Sequence, residues 1–499
     1  MYINNKILIG KNDEKELSIL LDKANRHGLI TGASGSGKTI TLKVMAESFS
    51  DAGVPVFLAD VKGDLGATAL QGEPSESLYQ RIEKLGIENF EFKNFPVRFW
   101  DIFGNSGHPI RTTLNSVGPE ILSMMLGLSE AQEGVLAIVY KIAQDNNWKL
   151  DDTKDLRLLL QFVGDNKNEF ITRYGNITTQ SIGVIQRCLL TLENQGADKF
   201  FGIPELDIND FIATDNMGKG MINILHAVEL FKSPDLYASF LLWLLTNLFN
   251  KMPEVGDLEK PRIVFFFDEA HLLFNGMPSY RLKQITQVVK LIRSRGIGLY
   301  FISQSPTDIP DEIIAQLGNR VQHTLRAYTP AEQRTVKVAA DAFRTNPNFN
   351  TTEAILALGT GEALVSFQNE NGEPEIVEKV TILPPQSKMG TIDDITRNKI
   401  ITISTIFGKY DEAQERDSAF EELNALIVQK LEEEEEIRQL ELKEKEAIKK
   451  QKEEEKLKKE EEKAKKNSIG YKLTKKVANK AVDKAINKGL NAIFKNFFK

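Results

Sequence analysis

The sequence predicts an α/β protein with a mostly parallel sheet, and three observations lead to that prediction. An apolar strand at 28–30 runs into a glycine-rich loop, which is followed by a helix over 43–50 and a β-prone run at 54–58. Further short β-prone runs alternate with segments of helical spacing. The most apolar of these runs, 263–267, ends in two carboxylates. A strand, a helix and a strand in this order form a βαβ unit, whose crossover helix packs on a parallel sheet.

Later strands are predicted wherever a short apolar run returns after a helical segment. These runs are 220–225, 263–267, 298–302 and 320–325. Together with the first βαβ unit they complete the predicted α/β core. A hairpin of 363–367 and 376–380 follows, and its connecting turn contains the pair Asn371-Gly372, which suits positive φ.

Composition shifts along the chain predict five parts. These are 1–60, the first part of the core with the glycine loop; 61–218, a mostly helical insertion; 219–385, the second part of the core; 386–466, a helical linker and charged helix; and 467–499, a basic amphipathic tail. The charged helix is compatible with a solvated single helix or a coiled coil. The tail is compatible with docking inside the protein or on another subunit, with nucleic acid, or with an anionic membrane surface.

Composition constrains the compartment more than it constrains the substrate. A single cysteine, Cys188, leaves no internal disulfide framework, and the N-terminus lacks a basic segment followed by an apolar stretch. We therefore expect a cytoplasmic protein. The formal net charge of -7 gives no global sign of nucleic-acid binding, but an average charge does not reveal basic residues collected in a pore.

The glycine-rich loop has the pattern Gly-x-x-x-x-Gly-Lys-Thr, which is typical of polyphosphate binding because backbone N–H groups converge at the start of a helix. Its residues are Gly32, Ala33, Ser34, Gly35, Ser36, Gly37, Lys38 and Thr39. We expect Lys38 to reach the β and γ phosphates and the Thr39 hydroxyl to bind Mg²⁺. The alternative is a chance match, which the placement between strand and helix disfavours.

The acidic pair Asp268-Glu269 is predicted to lie at the carboxyl end of a buried strand, the edge where ligands bind such sheets. Asp268 is the better partner for the metal, directly or through water, and Glu269 is the better base for the attacking water. The alternative is an acidic pair that caps a helix on the surface. His271 completes the string Asp-Glu-Ala-His, for which we expect a structural or coupling role.

Two further groups are predicted to complete hydrolysis. Gln304 follows the strand at 298–302, where its amide could sense the γ-phosphate or orient water; the alternative is an amide that satisfies local backbone groups. A cation that stabilises the transferring phosphoryl group often comes from an adjacent subunit. The candidates are Arg293, Arg295, Arg320 and Arg326. We favour Arg320; the alternatives are surface solvation or a fixed salt bridge.

Beyond these motifs, the sequence closely resembles the bacterial HerA-like P-loop ATPases of the YjgR type, in the HerA/FtsK group, over about residues 6–380. The strings that carry the resemblance are VKGDL (61–65), FWDIFG (99–104), GHPIRTT (107–113), FFFDEAHLLF (265–274), LIRSRG (291–296) and QLGNRVQH (316–323). Such long strings are more specific than either nucleotide motif alone.

The resemblance implies the additional-strand, catalytic-glutamate fold of RecA-like motors, with ATP as substrate and Mg²⁺ as cofactor. It implies that Gln304 is the sensor glutamine, that Arg320 is the arginine finger, and that the protein forms a homo-oligomeric ring, a hexamer. The wider group contains DNA-pumping translocases. The chain departs from archaeal HerA because its short N-terminus leaves little room for their β-barrel domain, and from FtsK because it lacks membrane spans.

Two hypotheses about function follow. The first is an ATP-driven ring motor that acts on DNA or RNA. The second is an ATP-controlled assembly switch, or an ATPase that remodels a protein partner through the helical insertion and the charged C-terminal region. A small-molecule kinase uses the same phosphate loop, but a base at Glu269 beside the metal aspartate favours hydrolysis.

Overall fold

The computed structural model describes residues 1–466 except 257, 276 and 278, and leaves out side-chain detail for 464–466. The predicted basic tail, 467–499, lies outside the described residues. By compactness the chain divides into two units, Met1–Leu423 and Asn424–Lys499. The five-part division made from composition stays a prediction.

In the described part of the chain, thirteen strands form one sheet. They are β1 (Tyr2–Ile3), β2 (Lys6–Lys11), β3 (Glu16–Leu20), β4 (Gly28–Thr31), β5 (Val56–Asp60), β6 (Val97–Asp101), β7 (His108–Pro109), β8 (Ile222–His226), β9 (Ile263–Phe267), β10 (Ile297–Ser303), β11 (Asn319–Gln322), β12 (Glu362–Ser366) and β13 (Glu378–Ile382).

Helices cover the sheet and build the segment between β7 and β8. The α-helices are α1 (Lys38–Asp51), α2 (Glu76–Leu85), α3 (Leu114–Met125), α4 (Glu130–Asp145), α5 (Thr153–Asp165), α6 (Lys167–Tyr174), α7 (Thr179–Asn194), α8 (Pro234–Lys251), α9 (Ser279–Ile292), α10 (Asp311–Ile314), α11 (Pro330–Asp341), α12 (Thr351–Ala357), α13 (Asp394–Thr402) and α14 (Ala419–Lys466). Short 3-10 helices include Ala270–Leu273, Arg293–Arg295 and Pro306–Asp308.

The parallel part of the sheet sets the positions of the predicted motifs. Its strand order is β11-β4-β10-β9-β5-β8-β6-β7, so that β10 lies between the strand that enters the glycine loop and the strand that ends in the acidic pair. Every residue of β4, β5, β9 and β10 is buried, as expected for parallel strands that are covered on both faces. The predicted α/β fold with a mostly parallel sheet is confirmed.

The predicted number of core strands was too small. Eight described strands run parallel, because β6 and β7 add to the sheet beyond β8. Both come from the segment 61–218, which the sequence predicted as mostly helical. β6 escaped recognition because its buried Arg98 interrupts the apolar pattern; the guanidinium donates to the carbonyl of Asp210 and to Thr405.

The predicted hairpin is present and extends the sheet on the other side. β12 pairs antiparallel with β13 and with β11, and β13 continues to β2. Gly372 in the connecting turn has a φ of 78°, as the Asn-Gly pair predicted. β13 begins at Glu378, two residues later than the predicted start at Ile376.

Aromatic side chains fill both faces of the sheet. Phe49 of α1 packs against Phe266 and Tyr300 with ring centroids 6.4 and 6.1 Å apart, which fixes α1 over β9 and β10. On the opposite face Phe57 packs on Phe265 at 5.2 Å. Burial of large aromatic surfaces on each side is the dominant stabilising contribution to such a sheet.

The long charged helix is observed as predicted: α14 covers 48 residues. Among the described helices, none combines the length and the apolar character needed to cross a bilayer.

Candidate active site

The glycine loop leaves β4 and ends at the first turn of α1. Gly32 has a φ of 153°, and a Cβ added there would lie 2.5 Å from the Cβ of His323. Gly37, the N-cap of α1, has a φ of 114° and provides no side-chain cap. The first-turn N–H groups of α1 are therefore available to an anion, as the sequence pattern predicted.

Lys38 lies over this loop. Its Nζ donates to the carbonyl oxygens of Gly32 at 2.5 Å and Ala33 at 3.1 Å. Burial lowers the pKa of Lys38; the charge of Lys62 lowers it further, whereas Glu269 and Asp268 act in the opposite direction. The ammonium group of Lys38 therefore contacts the glycine loop and lies within the electrostatic influence of the acidic pair.

The acidic pair directly follows β9 at the same edge of the sheet. Oδ1 of Asp268 accepts the N–H of Glu269 at 2.9 Å, and the Tyr237 hydroxyl donates to the Asp268 carbonyl at 2.8 Å. Burial, followed by the charge of Glu269, raises the pKa of Asp268 to about 6, against the opposing charges of Lys62 and Lys38. A buried carboxylate with excess negative charge beside it fits a divalent cation.

Glu269 has a strained backbone and a free oxygen. Its φ and ψ are 48° and 44°, a left-handed conformation that residues other than glycine seldom adopt. Its Oε2 is buried and accepts no hydrogen bond from the described residues; the nearest basic atom is Nδ1 of His271, at 3.4 Å. The turn therefore directs one carboxylate oxygen of Glu269 away from the backbone and against His271.

Lys62 is a further residue of this site, and sequence reasoning assigned it no role. β5 ends at Asp60, whose carboxylate accepts the N–H groups of Gly63, Asp64 and Leu65 at 2.7, 3.1 and 3.0 Å. This clamp fixes the turn that carries the exposed Lys62, whose charge influences the pKa of both Lys38 and Asp268. The signal in the sequence was a Lys-Gly pair immediately after a core strand.

Gln304 follows the last residue of β10, and its side chain is exposed. β10 pairs with β4 through Ser303 and Thr31 and with β9 through Phe301 and Phe267. The amide therefore leaves the sheet between the glycine loop and the acidic pair, at the position that the sequence predicted for a sensor.

Arg320 is not brought to this edge within its own chain. Its guanidinium donates to the carbonyl oxygens of Leu317, Ala342 and Ile314 at 3.1, 2.6 and 3.3 Å, and burial lowers its pKa. Arg320 lies opposite Leu29 in the pairing of β11 with β4, two residues before the edge that carries the glycine loop.

The other three arginine candidates lie in different places. Arg295 donates to the Met252 carbonyl and stacks on Phe249 at 4.4 Å. Arg293 precedes β10, at the opposite edge of the sheet. Arg326 is exposed and lies two residues after Thr324, whose carbonyl accepts the N–H of Ala33 at 2.9 Å. Among the four candidates, Arg326 is the one that follows a strand whose end contacts the glycine loop.

His323 packs against the glycine loop and the first turns of α1, a role that the sequence did not reveal. Its Nδ1 donates to the Glu362 carbonyl at 2.9 Å, so that Nε2 accepts from the Thr41 hydroxyl, also at 2.9 Å. Burial lowers the pKa of His323 to about 4, which keeps the ring neutral. The residue before Glu362, Gly361, donates its N–H to the Ser36 carbonyl at 3.2 Å and ties the hairpin to the loop.

A phosphate loop after β4, an acidic pair after β9 and an amide after the strand between them define the P-loop nucleoside triphosphatase class with an additional strand between the two motifs. The chain belongs to the family described as Helicase HerA-like C-terminal, which matches residues 5–497. This confirms the resemblance to HerA-like P-loop ATPases that the sequence strings indicated.

Relatives with sequence similarity carry the same family name. The chain is 23% identical over 367 residues to the DNA double-strand break repair helicase HerA of Sulfolobus acidocaldarius, covering 72% of this chain and 65% of that protein. It is 24% identical over 369 residues to the helicase of that name from Saccharolobus solfataricus, covering 72% and 64%. The match thus spans less than two thirds of these two relatives.

Solved structures with a similar chain trace have low identity. The plasmid coupling protein TrwB in complex with the non-hydrolysable GTP analogue GDPNP is 12% identical with a TM-score of 0.48, covering 73% of this chain and 87% of that one. VirB4 of Thermoanaerobacter pseudethanolicus is 16% identical with a TM-score of 0.48, covering 77% and 97%.

Proposed function

We propose that the protein is a Mg²⁺-dependent ATPase that works as a ring motor and translocates along or remodels nucleic acid. The observation that carries the proposal is the convergence of Lys38, Asp268 and Glu269 at one edge of the sheet, with Gln304 between them. Membership of the HerA-like family supports the motor, and the relatives named as DNA helicases support nucleic acid as the substrate.

The residues at this edge fit a magnesium ion. The Thr39 hydroxyl and the Asp268 carboxylate would hold it, directly or through water, since oxygen ligands are those that Mg²⁺ prefers. When bound, the ion would neutralise charge on the phosphates.

The protein side chains supply the remaining steps. Backbone N–H groups of residues 32–39 hold the β-phosphate, and Lys38 leaves the Gly32 and Ala33 carbonyls to contact the β and γ phosphates. Glu269 orients a water molecule and accepts its proton through Oε2 as the water oxygen bonds to the γ-phosphorus. The bond from that phosphorus to the bridging oxygen breaks, and ADP and phosphate leave. Gln304 senses the γ-phosphate, and Lys62 adds positive charge beside it.

A neighbouring subunit completes the site in this proposal. Arg320, the finger implied by the family resemblance, would have to release three carbonyl oxygens of its own chain before it could reach a neighbour's nucleotide. Arg326 is exposed and forms no ion pair within the described residues, so that it is the alternative finger. We propose a hexameric homo-oligomer, and the cytoplasm as the compartment where ATP and nucleic acid are both present.

The substrate class is tested by ATP turnover of the full chain at low salt with double-stranded DNA, with single-stranded DNA, with RNA, and with none. We expect at least one nucleic acid to stimulate turnover, because phosphate contacts are strongest at low salt. If the protein hydrolyses ATP but no nucleic acid binds to it or stimulates turnover, the hypothesis of a motor on nucleic acid is wrong. That result would favour the assembly switch or the protein-remodelling ATPase.

A further inference from the structure

A cavity lies at the edge of the sheet opposite the glycine loop. It has a volume of about 420 Å³, and its lining includes residues within four positions before the starts of three adjacent parallel strands. Arg26 and His27 precede β4, Arg293 and Ser294 precede β10, and Gln316 precedes β11. Because the glycine loop follows the carboxyl end of β4, the sheet separates this cavity from the proposed hydrolysis site.

The cavity carries unbalanced positive charge. Arg26, Lys290 and Arg293 line it, and no aspartate or glutamate is among its lining residues. Within the part of the chain that the structure describes, none of these three side chains forms an ion pair or a hydrogen bond. Like charges brought together beside a low-dielectric wall repel, and an anion between them removes that repulsion.

Hydrogen bonds hold the backbone of Arg26 and the ring of His27 in place. His27 is buried and uses both ring nitrogens: Nδ1 accepts the N–H of Leu299 at 3.1 Å, and Nε2 donates to the Val289 carbonyl at 2.8 Å. The backbone of Arg26 is held as well, because its carbonyl accepts the N–H of Gly318 at 3.2 Å. The backbone that carries Arg26 is therefore fixed at the wall of the cavity.

Two of the strings that carry the family resemblance meet here. LIRSRG contributes Leu291, Arg293 and Ser294, and QLGNRVQH contributes Gln316. In the proposed hydrolysis site neither Arg293 nor Gln316 has a role.

We propose that this cavity binds phosphate groups, with the backbone of a nucleic acid as their source. Guanidinium groups match phosphate oxygens in a fork of two parallel hydrogen bonds, and an ammonium group adds a point charge. Ser294 and Gln316 add neutral polar groups to the lining. The inference rests on the proposed action on nucleic acid and names a surface that contacts the substrate.

The test uses the full-length double variant Lys290→Gln/Arg293→Gln and a fluorescently labelled oligonucleotide duplex over a series of salt concentrations. We expect duplex binding about tenfold weaker at low salt, and a salt slope smaller by roughly one to two, as for the loss of one or two phosphate contacts. Lys283→Gln is the matched control, since Lys283 is exposed on α9 outside the cavity. The basic tail is present in all three proteins and cancels in the comparison.

A second arm measures binding of inorganic pyrophosphate to the same proteins with the phosphate loop saturated by a non-hydrolysable ATP analogue, because the loop would otherwise bind pyrophosphate itself. Weaker pyrophosphate binding with unaltered duplex binding assigns the cavity to a free phosphate compound. Binding of both ligands at the level of the wild type and of Lys283→Gln overturns the inference. If the wild type binds no nucleic acid, the proposed substrate class fails, and the pyrophosphate arm still decides whether the cavity binds phosphate.

Discussion

The Nδ1 atom of His271 lies 3.4 Å from Oε2 of Glu269, and neither atom has a hydrogen-bond partner among the described residues. Glu269 reaches this position from a left-handed backbone conformation. The imidazole therefore limits where the free carboxylate oxygen can lie, which is the oxygen that the proposed reaction uses to accept a proton.

His271→Ala should lower kcat about tenfold and leave KM for ATP within about a factor of two, because the base loses its orientation while the phosphate loop stays intact. Steady-state kinetics measure both values. Equal changes in kcat and KM, or an unchanged kcat, would show that His271 does not position Glu269.

Lys62→Ala should weaken binding of a non-hydrolysable ATP analogue about tenfold more than binding of ADP, because we propose that Lys62 adds positive charge beside the γ-phosphate. Lys62→Arg should restore part of the difference. Calorimetric titration of both nucleotides measures it, with Lys141→Ala on α4 as a control, since Lys141 is paired with Asp145 far from the loop in sequence. An identical loss for ATP analogue and ADP would argue against a γ-phosphate contact.

Arg320→Ala and Arg326→Ala should separate a structural arginine from a catalytic one. Arg320→Ala removes three hydrogen bonds to backbone carbonyls, two of them partly buried, and should lower the free energy of unfolding by roughly 2–3 kcal/mol. Arg326→Ala should keep its stability and lose ATP turnover, since its side chain is exposed and without an ion pair in the described chain. A stable but inactive Arg320→Ala would instead identify Arg320 as the finger.

The free energy of unfolding should decrease in acid, because His27 is buried as a neutral imidazole. Burial lowers the pKa of His27 to about 4 in the folded chain, from an ordinary value of 6.5. The unfolded chain therefore takes up this proton first, and stability is lost as the pH falls from 6.5 toward about 4. The contribution is about 1.4 kcal/mol per pH unit.

His27→Asn tests this linkage. The variant removes the titratable imidazole and both of its hydrogen bonds, so that it should be less stable near neutral pH but lose stability less steeply in acid. Denaturant unfolding of both proteins across the acid range measures the two slopes. Equal slopes would contradict the assignment of a neutral, buried imidazole.

The sequence predicted the parts of the site that follow from local rules. The glycine pattern around Lys38 and the carboxylates after the apolar run at 263–267 each stand next to their strand in the chain. The edge of a parallel sheet then brings them together. Gln304 was predictable for the same reason, because it also follows a core strand.

Other features depend on contacts between residues distant in the chain. Lys62 and His323 gain their roles only from strand order and from hydrogen bonds such as that of His323 to the Glu362 carbonyl. β6 was missed because a buried arginine looks like a surface residue until its acceptors are known. The cavity lined by Arg26, Lys290 and Arg293 brings together residues near positions 26, 290 and 316, which no local sequence pattern connects.

The most direct test of the hydrolysis centre is the single-turnover rate of ATP hydrolysis by the full-length wild type, by Glu269→Gln, and by Glu120→Gln as an exposed control on α3. We predict Mg²⁺-dependent hydrolysis by the wild type and by Glu120→Gln, and a rate lower by roughly 10² to 10⁴ in Glu269→Gln with ATP binding retained. Full turnover by Glu269→Gln, or a wild type that binds ATP without hydrolysing it, would contradict the account.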